Sequence, residues 1–172
     1  MLLQRPDNNY KCKNLSPMSQ KKEHNVEIFS YICNPLNKNL SVMKIDHIGI
    51  WCEDIERMKD FYTKYFACRV GEIYSNPAKK YSSYFLSFSS GGARVELMNR
   101  PDITEEPSRR GMIRGLAHLG LTVGSKYEVN ELVERLRADG YTIASECRTT
   151  GDGYYEAIVL DPEGNRVEVC AE

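Results

Sequence analysis

The sequence predicts an α+β fold that consists of two paired βαβββ modules. Two short similarities between the halves of the chain indicate this: Asp46-His47-Ile48-Gly49-Ile50 returns as Ala117-His118-Leu119-Gly120-Leu121, and Arg94-Val95-Glu96-Leu97-Met98 returns as Arg166-Val167-Glu168-Val169-Cys170. His118 follows His47 by 71 positions, and Glu168 follows Glu96 by 72. Because the two offsets nearly agree, both similarities belong to one duplication of about 70 residues, which is longer than a solenoid repeat.

Residues 1–42 lie outside this repeat and are expected to be an N-terminal extension of a domain at 43–172. The segment has no Gly and one apolar run, 26–32, for which the pattern leaves a strand and a short surface helix open. His24 lies in this extension, and we expect it to play no part in a functional site. Met43 directly precedes the first module, so translation beginning there is a hypothesis.

The first module, 43–100, is predicted to begin with a strand at 44–52. Asp54 is expected to cap a helix, whose apolar stripe recurs at helical spacing: Ile55, Met58, Phe61, Tyr62, Tyr65 and Phe66. Three strands should follow, at 69–74, 81–88 and 94–98, with a Gly-containing turn between the last two. A linker with prolines and many charges, 99–115, then joins the modules.

The second module, 115–172, repeats this order with a strand at 116–123. Ser125 and Glu128 form a capping box, in which each side chain satisfies a backbone donor of the other residue. The helix stripe is Val129, Leu132, Val133 and Leu136, and Gly140 supplies the left-handed residue that ends the helix. Strands are predicted at 141–147, 154–160 and 166–170, with a turn at 161–165.

Composition limits the partners of the protein. With 172 residues and a formal net charge of −1, the chain can bury a core but offers no basic field, so no nucleic-acid partner is expected. No apolar run reaches the roughly 18–20 residues of a membrane span, and the N-terminus has no signal-peptide pattern. Six cysteines without a C-x-x-C pair are typical of reduced thiols, so the expected location is the cytoplasm.

The strand alternation predicts where the repeated polar residues lie. Side chains alternate between the two faces of a strand, so the aliphatic neighbours of each repeated His and Glu should pack on a helix. His47, Glu96, His118 and Glu168 then project from the uncovered faces, and the duplication should make the two pairs face each other. Two imidazoles and two carboxylates suit a divalent metal, zinc or nickel before manganese, cobalt or iron. The alternative is that these side chains are only solvated.

These segments, with the closing stretch Leu160-Asp161-Pro162-Glu163-Gly164-Asn165-Arg166-Val167-Glu168-Val169, resemble the vicinal oxygen chelate superfamily over residues 43–172. The resemblance implies a curled mixed sheet around a metal, with His47, Glu96, His118 and Glu168 as ligands. Such a ligand set is typical of glyoxalase I, the lactoylglutathione lyase. A homodimer is expected, and the sequence leaves open whether the modules pair within one chain or between two.

The resemblance implies a metal-dependent lyase or isomerase that acts on a small α-hydroxycarbonyl or thiohemiacetal through an enediolate. Glu168, or Glu96, would act as the catalytic base and then as the acid. The alternative is a metal-bearing binding or resistance protein without turnover. An epimerase is disfavoured because the strand at 81–88 holds no Glu, and a ring-cleaving dioxygenase because no spare module His exists.

Two positions depart from the glutathione-using pattern. Trp51 stands where bacterial glyoxalase I proteins carry an Arg for the glutathione carboxylate, and Arg100 stands where they carry an Asn. We expect Trp51 to line the substrate pocket and to favour a flat or apolar tail, the alternative being that it seals a subunit interface. Arg100, and Arg109 or Arg110 in the linker, are expected to receive an anionic group.

Overall fold

Each half of the chain folds as one βαβββ module, in a computed structural model that describes residues 43–104 and 110–172. The first module contains β1 His47–Trp51, α1 Ile55–Phe66, β2 Arg69–Val70, β3 Tyr74–Asn76, β4 Tyr81–Ser87 and β5 Arg94–Asn99, with a 3₁₀ turn at Pro77–Lys79. The second contains β6 Leu119–Gly124, α2 Lys126–Ala138, β7 Ile143–Thr149, β8 Tyr155–Leu160 and β9 Arg166–Ala171. The predicted fold class is therefore confirmed.

One predicted element differs, since the strand expected at 69–74 is two short strands. Val70 pairs with Leu86 of β4, whereas Tyr74 pairs with Ser83. The antiparallel register thus shifts by one residue between β2 and β3, and this shift interrupts the pairing.

The two modules form two mixed sheets. The first has the strand order β1-β5-β4-β2, with β3 also paired to β4, and the second has the order β6-β9-β8-β7. In both, the strand that begins at the repeated His or one residue after it runs parallel to the strand that carries the repeated Glu. Gly49 is opposite Glu96, and Gly120 is opposite Glu168, so the duplicated motifs occupy equivalent places.

One face of each sheet packs on the helix of its own module. The strand residues that flank the repeated glutamates are fully buried: Val95, Leu97, Val167 and Val169. The predicted caps are present, since Asp54 accepts a hydrogen bond from the backbone N–H of Arg57 and the Ser125–Glu128 capping box is complete. The opposite sheet faces keep their half-exposed polar side chains, which include the repeated His and Glu residues.

Contacts between the modules involve α1 and the two residues that precede it. The Phe61 ring lies 4.9 Å from the Tyr141 ring, and the Tyr62 hydroxyl donates a 3.2 Å hydrogen bond to buried Asp161. The Glu163 carboxylate accepts hydrogen bonds from the backbone N–H groups of Glu53 and Asp54 at 3.0 and 2.8 Å. The 161–165 turn of the second module therefore caps the N-terminus of α1 in the first module.

The polar groups of this turn are internally satisfied. Asp161 accepts bonds from the backbone N–H groups of Glu163 and Asn165 and from the Asn165 side-chain amide. Burial raises the pKa of Asp161 even though these donors oppose the shift. The stretch 161–165, which contributes to the family resemblance, thus has a structural role here.

The proposed extension at 1–42 lies outside the described residues, so the domain boundary at 43 stays a prediction. In the described part, no helix is long and apolar enough to cross a membrane. The described cysteines, Cys52, Cys68, Cys147 and Cys170, are free thiols, of which the first two are buried.

Candidate metal centre

The first candidate half-site joins β1 to β5. Gly49 of β1 pairs with Glu96 of β5 two residues after His47, and a side chain at Gly49 would meet Met98. The distance from His47 Nε2 to Glu96 Oε2 is 3.7 Å, with side-chain exposures of 42% and 15%. One imidazole nitrogen and one carboxylate oxygen are therefore adjacent on the open sheet face.

The imidazole of this half-site is held in place by a hydrogen bond at its other ring nitrogen, Nδ1. His47 Nδ1 is 3.0 Å from Asp46 Oδ2, and Arg94 also pairs with this carboxylate. The hydrogen bonds with His47 and Arg94 lower the pKa of Asp46. With Nδ1 as donor to Asp46, the Nε2 lone pair is directed to the open face, as in histidines that ligate metals.

Aromatic packing completes the restraint. Phe85 meets the His47 ring edge to face at 5.4 Å, and the Arg94 guanidinium lies 4.2 Å from the Phe85 centroid. The Tyr81 hydroxyl donates a 2.9 Å hydrogen bond to Glu96 Oε1, which leaves Oε2 for the His47 side. Burial raises the pKa of Tyr81, so its hydroxyl remains a donor at neutral pH.

The second candidate half-site repeats the pair with fewer supports. The distance from His118 Nε2 to Glu168 Oε2 is 3.4 Å, and Glu168 Oε1 accepts a 3.3 Å hydrogen bond from the Cys170 thiol. Burial and this hydrogen bond raise the pKa of Cys170 to about 12. Ala117 precedes His118, so the position equivalent to Asp46 offers no carboxylate.

Both pairs have the spacing of two ligands on one ion. Two atoms that each lie about 2.1 Å from a zinc-like ion are about 3.0 to 3.4 Å apart at octahedral or tetrahedral angles. The 3.4 Å separation in the second half-site lies at the upper end of this range, and a small side-chain movement would bring the 3.7 Å separation in the first half-site into it. The donor set of imidazole nitrogen and carboxylate oxygen also suits the proposed divalent ion.

The two pairs stay separate within one chain. Over residues 43–104 and 110–172, no group of three or more His, Cys, Asp or Glu side chains comes together as a possible metal site. Each module therefore brings one imidazole and one carboxylate together, and the joining of His47, Glu96, His118 and Glu168 at one ion stays a prediction.

The predicted substrate-binding residues lie beside the first half-site. Trp51 is 37% exposed and meets the Tyr81 ring edge to face at 6.2 Å. The Arg100 guanidinium lies 5.5 Å from the Trp51 ring and donates to Asp102 at 2.6 Å. Arg110 donates to Glu163 O and Asn165 Oδ1 and so braces the 161–165 turn. Arg109 lies outside the described residues.

A cavity of ≈ 380 Å³ touches residues of both modules. Trp51 and Gly49 line it from β1, and His118, Leu116 and Arg114 line it from the segment that leads to β6. The side chains that line the cavity are mostly apolar, and they include the Trp51 indole and the His118 imidazole. A small molecule with an apolar part fits these surroundings.

The comparison with known proteins identifies the family. The model of the Glyoxalase/Bleomycin resistance protein/Dioxygenase superfamily matches residues 44–169. The chain belongs to this superfamily. This is the vicinal oxygen chelate superfamily that the sequence motifs resemble, and it accounts for the duplicated βαβββ arrangement.

Several members of the superfamily are similar to this chain. An uncharacterized protein of Bacillus subtilis, YqjT, is 27% identical, over 73% of this chain and 96% of its own length. The lactoylglutathione lyase of Escherichia coli O157:H7 is 27% identical, over 76% of this chain and 93% of its own. The trypanothione-dependent glyoxalase I of Leishmania major superposes with a TM-score of 0.58 at 25% identity, over 76% of this chain and 88% of that one.

The sequence analysis missed three residues that support the candidate ligands. Cys170 lies two positions after Glu168, and the period of two could have placed both on one face. Asp46 belongs to the repeated motif, but the sequence does not indicate that it pairs with the His47 ring. Tyr81 could not be found, because its contact with Glu96 depends on the register of β4 against β5.

Proposed function

We propose that the protein is a metal-dependent lyase or isomerase of the glyoxalase I type, which works as a cytoplasmic homodimer on a small α-hydroxycarbonyl or thiohemiacetal. The observation that carries this proposal is the adjacent imidazole nitrogen and carboxylate oxygen on the open face of each sheet. Membership of the superfamily and the similarity to lactoylglutathione lyases support it. The free thiols of the described cysteines agree with a reducing compartment.

The proposed centre uses His47 and Glu96 of one copy together with His118 and Glu168 of a second copy. A two-fold axis makes such an exchange reciprocal, so a dimer has two equal centres. Separate half-sites that project from open faces within one chain are the geometry that this arrangement needs. A bound divalent ion, zinc or nickel, would supply Lewis-acid stabilisation of negative charge on two neighbouring substrate oxygens.

Side chains of the protein would transfer the proton and contact the substrate. Glu168, or Glu96, takes the proton from one substrate carbon and returns it to the adjacent carbon, as base and then as acid. Trp51 and Tyr81 give the substrate an apolar wall, and Arg100 offers a cation at its outer end.

A second candidate function is binding of a flat small molecule without turnover. The aromatic group beside the first half-site favours it, since Trp51, Tyr81 and Tyr74 form a chain of ring contacts at 6.2 and 6.1 Å. Such a surface offers large apolar area at little entropic cost. In this case the metal would orient the ligand only.

Incubation with methylglyoxal and a panel of thiols, with and without added nickel or zinc, separates the two functions. We expect thioester product with at least one thiol and only in the presence of metal. Glutathione and a neutral small thiol belong in the panel because the sequence does not select a charged tripeptide. Stoichiometric metal binding with no thioester under any condition would leave binding without turnover as the function.

The thiol preference should depend on Trp51. We expect Trp51→Arg to raise kcat/KM for the glutathione adduct relative to the neutral-thiol adduct by about fivefold, because it exchanges an apolar plane for a carboxylate partner. Tyr127→Arg, at an exposed position on α2, is the control and should leave the ratio unchanged. An unchanged ratio in Trp51→Arg, with loss of the dimer, would show that the indole seals an interface.

A further inference from the structure

The two glutamates of the candidate centre are equivalent in the repeat but differ in what holds them. In each, Oε2 lies towards the imidazole and Oε1 accepts a hydrogen bond from a neighbouring side chain. The donor to Glu96 is the phenol of Tyr81, at 2.9 Å. The donor to Glu168 is the thiol of Cys170, at 3.3 Å.

The phenol is a strong and well-placed donor. An O–H group that donates to a carboxylate makes a charge-assisted hydrogen bond, about twice as strong as a neutral one. The Tyr81 ring also contacts two other aromatic rings, Trp51 at 6.2 Å and Tyr74 at 6.1 Å. Movement of Glu96 away from its observed position would therefore break this strong hydrogen bond.

The thiol is a weak donor and has no equivalent support. An S–H group donates poorly, so its bond to Glu168 costs little to break. The strand register identifies the position equivalent to Tyr81. Phe85 is opposite Glu96, and Ile158 is opposite Glu168. Tyr81 lies four residues before Phe85, so its equivalent is Tyr154, four residues before Ile158. Tyr154 is 60% exposed, and no hydrogen bond joins it to Glu168 in the part of the chain that the structure describes.

The histidines show the same difference. His47 has the Asp46 carboxylate behind Nδ1 and the edge of Phe85 against its ring. Ala117 takes the place of Asp46 before His118, and Ile158 takes the place of Phe85. The first half-site is thus braced at both ligands, and the second is not.

We propose that Tyr81 and Cys170 are positioning residues that make Glu96 the fixed carboxylate and Glu168 the mobile carboxylate of the centre. The inference rests on the proposed function and deepens it, because it names two residues outside the ligand set, Tyr81 and Cys170, as the source of the difference between the two glutamates. Tyr81 keeps Glu96 in place beside His47. The weak thiol contact lets Glu168 leave that position and approach a substrate carbon.

The rate of metal release to a chelator tests this without the need for turnover. In the zinc-loaded full chain, Tyr81→Phe removes only the hydroxyl and should speed release by about tenfold or more, as loss of a group that orients a ligand does. Tyr154→Phe is the matched control at the equivalent position and should release zinc at the wild-type rate. Equal rates in wild type and Tyr81→Phe would overturn the assignment of Glu96 as the fixed carboxylate.

The second comparison replaces the thiol. Cys170→Ser places a stronger donor at nearly the same volume, so it should slow zinc release relative to Cys170→Ala by about threefold or more. With the methylglyoxal adduct that shows turnover, kcat of the Ser variant should be about fivefold lower than that of the Ala variant at similar KM. Faster release from the Ser variant than from the Ala variant would overturn the role of Cys170.

The outcomes also separate this inference from the proposed function. A wild-type chain that binds no divalent metal contradicts both. A chain that binds zinc, with the release rates in the expected order but without thioester formation, supports the unequal restraint and contradicts the proposed reaction. If the wild-type chain catalyses the reaction but Tyr81→Phe and Tyr154→Phe release zinc at the same rate, only the unequal restraint is contradicted.

Discussion

His118→Ala and His47→Ala are each expected to abolish stoichiometric binding of a divalent metal while the fold remains intact. Each half-site has one imidazole and one carboxylate, so removal of the imidazole leaves a single carboxylate on that side. Both histidine side chains are 42% exposed and lie opposite the buried strand faces, so the core is unchanged. Elemental analysis of chelator-free protein measures the metal, and thermal unfolding of the metal-free chain measures the fold.

Mixing the two variants tests whether the centre lies between chains. A dimer of one His47→Ala chain and one His118→Ala chain has one centre with both defects and one centre with none. Random association of equal amounts should therefore restore about a quarter of the wild-type metal content, since half of the dimers are mixed. No recovery on mixing would place each centre within one chain, and full occupancy in either variant alone would end the ligand assignment.

Phe61→Ala is expected to lower the free energy of unfolding by about 3–5 kcal/mol. Phe61 is buried, and its ring contacts Tyr62, Tyr65 and Phe66 on α1 and Tyr141 of the second module. Truncation would leave a cavity at the contact between the modules, where the large neighbouring rings can close it only in part. Urea unfolding of the metal-free chain measures the change.

The control for this prediction is Tyr127→Ala, at an exposed aromatic position on α2. Its effect should stay within about 0.5 kcal/mol, as for other surface substitutions. A loss of similar size in both variants would contradict the importance of the α1 contact for the stability of the two modules.

The local elements of the fold could be predicted because their signals lie within a few residues. The cap at Asp54, the capping box of Ser125 and Glu128, and the apolar stripe of each helix need only the sequence around them. The division of the strand at 69–74 could not be predicted, because it depends on the register of two strands against β4. The pairing partners on β4 lie 16 to 18 positions along the chain from β2 and 5 to 9 positions from β3.

The sheet faces of the candidate ligands could also be predicted, because a strand has a side-chain period of two. The separation of the two His–Glu pairs within one chain could not be predicted from the sequence. It follows from packing of α1 against the 161–165 turn and Tyr141, which involves partners from the two halves of the sequence. The hydrogen bond from Tyr81 to Glu96 could not be predicted for a similar reason, since it joins the two neighbouring strands β4 and β5.

The cap that Glu163 provides for α1 has a consequence for how such a chain evolves. The carboxylate comes from the second module, whereas the backbone N–H groups and the positive end of the helix belong to the first. The first module thus depends on a side chain of the second module for this contact. Exchange of the second module for one without an acidic residue at position 163 is expected to leave the N-terminus of α1 without this counter-charge.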